Sequence, residues 1–95
     1  MKIDLTVVLN NFAGEPMGDA DGPMTLRRAV QLVLTTSING DSNLTAELKV
    51  KLWNMARQTI EDEVDWTPED VVLVRDRIGK AYGPAVVGPA FELLG

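Results

Sequence analysis

Asp65-Trp66-Thr67-Pro68-Glu69-Asp70-Val71-Val72-Leu73-Val74-Arg75-Asp76-Arg77-Ile78-Gly79-Lys80-Ala81-Tyr82 carries the signals of a helix with a defined start and stop. Thr67 suits the N-cap, where its hydroxyl accepts a hydrogen bond from an otherwise orphaned amide. Pro68 then falls at the first helical position, where a missing N–H costs nothing, and Glu69 and Asp70 face the positive end of the helix dipole. Val71, Val74, Ile78 and Ala81/Tyr82 recur at helical spacing and predict one apolar stripe. Asp76 and Lys80 form an i, i+4 pair on the outer side. Gly79 weakens the last turn, and Gly83-Pro84 stops the helix.

Downstream, Pro84 can start another helix. Pro89 either kinks it or marks the true start of a short helix over residues 89–94. Phe91, Leu93 and Leu94 are too apolar for a free tail, so this end is expected to dock.

Upstream lies an acidic run, with six carboxylates among residues 61–70. Glu69 and Asp70 complement the helix they open, and Glu61, Asp62 and Glu63 mark a hydrated helix end, where carboxylates are mildly unfavourable. A cation site or an acidic docking surface is the alternative. Val64 and Trp66 flank Asp65 and are expected to tuck into the core, as a short extended segment beside an N-terminal strand.

Before this run, Leu44, Leu48, Leu52, Met55 and Ala56 form the stripe of a helix that starts near residues 42–45 and ends by about residue 62. Trp53 and Ile60 lie on one flank at the core boundary, and Glu47 and Lys51 make an i, i+4 pair. Lys49, Lys51 and Arg57 beside Trp53 are taken as an ordinary charged face rather than a basic patch. A further helix opens at Thr25, with Leu26, Ala29, Val30, Val33 and Leu34 on one face and Arg27, Arg28 and Gln31 on the other. Thr35-Thr36-Ser37 weakens it, and Asn39-Gly40-Asp41-Ser42-Asn43 ends it. Gln31-Leu32-Val33-Leu34 lacks the aromatic end and extended form of a sliding-clamp peptide.

The first ten residues alternate Ile3, Leu5 and Val7 with Lys2, Asp4 and Thr6, a half-buried strand pattern. Val8 and Leu9 break the alternation, through a bulge or through burial on both faces. Asn10-Asn11-Phe12-Ala13-Gly14-Glu15-Pro16 supplies turn chemistry, with Gly14 able to take positive φ. A short return strand near Pro16-Met17 would complete a hairpin, confined to an edge by Pro16. Gly18-Asp19-Ala20-Asp21-Gly22-Pro23 reads as a second turn. It lacks the remaining ligands of a calcium loop.

Ninety-five residues with a net charge of −5 suit one modest domain, residues 1–95, and disfavour a nucleic-acid partner. Mean hydropathy is +0.01, as in globular chains. Histidine and cysteine are both absent, which removes the commonest general base and the commonest metal ligands. No nucleotide loop or nucleophile elbow is present. The chain therefore reads as a non-enzyme without cofactor or metal. No apolar run is long enough to span a membrane, and the first ten residues lack a signal-peptide pattern, so the bacterial-type cytosol is the expected compartment.

Trp66 to Tyr82, followed by Pro84, Val86-Val87-Gly88 and Glu92-Leu93-Leu94, resembles a loose group of small accessory proteins of tailed bacteriophages and prophages. The opening is similar too, with Phe12-Ala13-Gly14-Glu15-Pro16 and then Asp21-Gly22-Pro23-Met24-Thr25-Leu26 leading into a helix. The resemblance implies an accessory protein that acts by binding, in particle assembly or on a host component.

The expectation is an α+β domain, mainly helical, with three to four short helices and an N-terminal strand or hairpin. The expected site is a protein-binding surface of Val72 and Leu73 with Glu61, Asp62, Glu63 and Asp65. A small helix–turn–helix DNA-binding regulator using Arg75, Arg77 and Lys80 is the alternative, although Asp76 interrupts that row. A homo-oligomer through the edge strand is a further possibility.

Overall fold

A computed structural model describes residues 1–38 and 44–95, and the expected stop at residues 39–43 lies outside them. Among the described residues the order is β1 (Lys2–Asp4), β2 (Gly18–Asp19), β3 (Gly22–Pro23), α1 (Leu26–Thr35), α2 (Ala46–Gln58), β4 (Glu63–Asp65), α3 (Pro68–Ala81) and α4 (Pro84–Leu94). The architecture is α+β and mainly helical, as the sequence patterns predict.

The main partner of β1 is not a hairpin return but β4, the extended segment expected around Asp65. The pairing is antiparallel, with Lys2 opposite Asp65, Ile3 opposite Val64 and Asp4 opposite Glu63. Ile3, Val64 and Trp66 enter the core, and the indole Nε1 of Trp66 donates to Gln58 Oε1 at 2.7 Å. That bond satisfies the one polar atom of a buried indole. The N-terminal ammonium ties the same corner, donating to Asp65 Oδ1 at 3.0 Å and to the Trp66 carbonyl at 2.8 Å.

The break in alternation after Leu5 is a bend. Asp4 Oδ1 accepts from the Thr6 amide at 2.8 Å and from the Thr6 hydroxyl at 2.6 Å, which holds the turn. Beyond it the chain makes isolated bridges, Val8 with Thr25 and Asn10 with Pro16. Pro16 thus takes a position where its missing N–H is not needed. Gly14, at φ 81°, closes the turn between them. The Asp-x-Asp-Gly stretch is the tip of the β2–β3 hairpin. A side chain at Gly18 would lie 2.9 Å from the Gly22 carbonyl oxygen, so this hairpin requires glycine there.

Helix α1 is the centre of the core. Thr25 Oγ1 caps it by accepting from the Arg28 amide, and Leu26, Ala29, Val30 and Val33 are wholly buried. It packs on both α2 and α3, while α4 packs on α3. Its outer arginines are tied down rather than solvated. Arg27 Nε donates to the Thr59 carbonyl at 2.9 Å, and Arg27 Nη2 meets Asp62 Oδ1 at 2.6 Å. Arg28 Nη2 meets Asp19 Oδ2 at 2.6 Å.

Thr67 caps α3 as expected, accepting from the Asp70 amide, and Val71, Val74 and Ile78 are buried. Ala81 is exposed and Tyr82 half-buried, so the stripe ends a turn early. Lys80 and Asp76 pair at 3.0 Å. Lys51 reaches Asp70 of α3 at 3.0 Å rather than closing only on its own helix. The closing segment is one helix with Pro89 inside it, not a short helix from residue 89. Ala90 and Leu94 are fully buried, which confirms docking of this end.

Candidate functional site

The acidic run does not gather into one cluster. Asp62 pairs with Arg27, Asp65 with the N-terminal ammonium and Asp70 with Lys51, while Lys2 stands 4.0 Å from Glu63. Hydrogen bonding by the ammonium holds the Asp65 carboxyl below its ordinary value. For Asp70, burial raises the pKa, but hydrogen bonds from Lys51 and Thr67 outweigh it and leave a net lowering. Among the described residues no group of three or more carboxylates is placed to hold a metal ion.

The basic row also dissolves. Arg77 is 4% exposed, and its Nε donates to the Val33 carbonyl at 2.6 Å and its Nη2 to the Thr36 carbonyl at 3.0 Å. These carbonyls belong to the last turn of α1, which lacks helical partners of its own. Arg75 lies over the Phe91 ring, 4.7 Å from its centroid, and Lys80 is engaged with Asp76. A face of Arg75, Arg77 and Lys80 open to phosphate is therefore not present.

Val72 is 60% exposed, whereas Leu73 is half-buried against the core. Val72 borders a shallow groove between α3 and α4 with Arg75, Gly79 and Phe91, and Glu61, Asp62, Glu63 and Asp65 are not part of its lining. The expected surface is thus two separate places. Trp53 and Ile60 were expected at the core boundary and instead stand 59% and 77% exposed. They flank a groove against Gln31 and Thr35 of α1.

A larger groove, about 470 Å³, lies between residues 7–12 and α4. Its walls are built by three local features. Residues 7–11 are strand-like, and the amides of Leu9 and Asn11 and the carbonyls of Val7 and Leu9 bond inward, to Met24, Glu15, Leu26 and Met17. Val8 and Asn10 alternate with them, so their N–H and C=O groups face the other way. No hydrogen bond engages those groups among the described residues. Opposite, the outer face of α4 presents Pro84, Ala85, Gly88, Pro89 and Leu93, small or apolar throughout, with Glu92 as the one charge in the lining. Phe12 stands at the rim, wholly exposed at the tip of the turn that Gly14 closes.

Sequence patterning singles out neither Phe12 nor this groove. The available signals were an aromatic residue inside otherwise polar turn chemistry, and a final helix apolar on every side, which one layer of core cannot cover.

Comparison of the chain with protein-family models, curated proteins and solved structures finds no match.

Proposed function

We propose that this chain is a non-enzymatic accessory protein of a tailed bacteriophage or prophage, acting in the host cytoplasm by binding a protein partner. The observation that carries the reading is Phe12. A fully exposed phenylalanine beside a groove with an apolar wall is unfavourable in isolation and is explained by a surface that becomes covered. The resemblance of residues 66–82 to phage accessory proteins supplies the setting. No helix among the described residues is long and apolar enough to cross a membrane.

Nothing favours the DNA-binding alternative, since Arg77 is spent on carbonyls of α1 and the net charge is −5. The test is affinity capture from host and phage-infected lysates with the wild-type chain, Phe12→Ser and Val72→Asp. Both sites are exposed, so either variant should change stability by less than about 0.5 kcal/mol. Loss of a captured protein with Phe12→Ser alone is the expected result. Capture unaffected by either substitution, or salt-sensitive retention of duplex DNA instead, would contradict the reading.

A further inference from the structure

We infer that the groove between residues 7–12 and α4 binds an extended peptide segment of the partner by strand addition, with a basic side chain of that segment set against Glu92. This rests on the protein-binding reading above and specifies its occupant.

The backbone makes the first half of the argument. Val8 and Asn10 stand at positions where donor and acceptor of each residue turn away from the sheet, and neither residue has a partner for them. Two such residues, two positions apart, repeat at about 7 Å, the spacing at which alternate residues of an added strand present their own N–H and C=O groups. A helix laid in the groove would satisfy none of these four groups, because its backbone bonds are internal.

The far wall makes the second half. Pro84, Ala85, Gly88 and Pro89 are small or compact, so side chains of an incoming strand meet a shallow apolar surface. Pro89 has no amide to give the Ala85 carbonyl, its normal helical acceptor, and both residues line the groove. Glu92 sits in the last turn of α4, a turn with no basic residue, where the helix dipole already concentrates negative charge. No ion pair engages Glu92 among the described residues. An unpaired carboxylate and a carbonyl without its helical donor, on one wall, call for a cationic donor. A lysine or arginine of the partner strand supplies it.

The experiment is selection of a displayed library of random short peptides against the full chain, followed by amide-resolved hydrogen exchange with the enriched peptides. Enriched peptides should be rich in β-branched residues, carry a Lys or Arg, and slow exchange of the Val8 and Asn10 amides. Backbone N-methylation at alternate peptide positions should weaken binding about tenfold, and at the intervening positions leave it intact. Glu92→Gln, checked for an unchanged circular dichroism spectrum, should weaken it about two- to fivefold. Peptides that seat on the Trp53 or Val72 surfaces, or that bind without protecting Val8 and Asn10, would overturn strand addition while leaving protein binding intact. Enrichment of nothing would also overturn it, and the lysate capture then decides the broader reading separately. Concentration-dependent protection of the same amides in the chain alone would make the occupant a second copy and overturn the inference.

Discussion

Arg77 shows how far a single residue can depart from its sequence reading. On a helix drawn from periodicity it belongs to the outer face, between Arg75 and Lys80. In the fold it is buried and its guanidinium donates to the Val33 and Thr36 carbonyls. A planar fork of donors can serve two carbonyls that one ammonium cannot reach with the same geometry. Arg77→Ala should therefore cost about 2–4 kcal/mol in urea denaturation, and Arg77→Lys should recover only part of it. A change below about 0.5 kcal/mol would show that these bonds do not hold α1 to α3. Periodicity could not reveal this, because it assigns charged residues to water and does not see carbonyls left over at the end of a distant helix. Asp65 was more legible. Its neighbours Val64 and Trp66 called for a strand beside the N-terminus, and β4 against β1 is that strand.

At the scale of elements, the caps and stripes of α1 and α3 were legible because Thr25, Thr67 and Pro68 are local signals that need no partner. The last helix was not, because Pro89 argued for a break that tertiary packing overrides. Ala90 and Leu94 are buried on the core side, and the cost of the proline falls on the opposite, groove-lining side. Pro89→Ala restores an amide to the Ala85 carbonyl and should raise stability by about 1–2 kcal/mol, less than the full helical penalty of proline because the unfolded chain gains freedom. The same substitution should weaken binding of any basic peptide in the groove. A stability decrease would mean that α4 depends on the proline bend. The groove itself escaped the sequence because its strand wall is two isolated bridges, too short for a periodic pattern to register.

For the whole molecule, four carboxyls set the acid limit of stability. Arg28 holds Asp19 low, Thr6 holds Asp4 low, the ammonium holds Asp65 low, and Lys51 with Thr67 outweighs burial at Asp70. Each binds protons more weakly folded than unfolded. Their stabilisation is complete above the unfolded carboxylate value of about 3.9 and is lost as pH falls through the lower folded values. With no histidine, the urea midpoint should stay flat between about pH 5 and 7 and drop below about pH 4. A midpoint that holds constant through the acid range would remove these pairs from the account.

The claim on which the molecule's use depends is that residues 7–11 keep one strand edge open toward α4. Amide hydrogen exchange on the free, dilute chain tests it without any partner. The account predicts an alternation, with slow exchange at Leu9 and Asn11 and fast exchange at Val8 and Asn10. Equal protection across all four amides would mean that the edge is already occupied, and the binding groove would not exist.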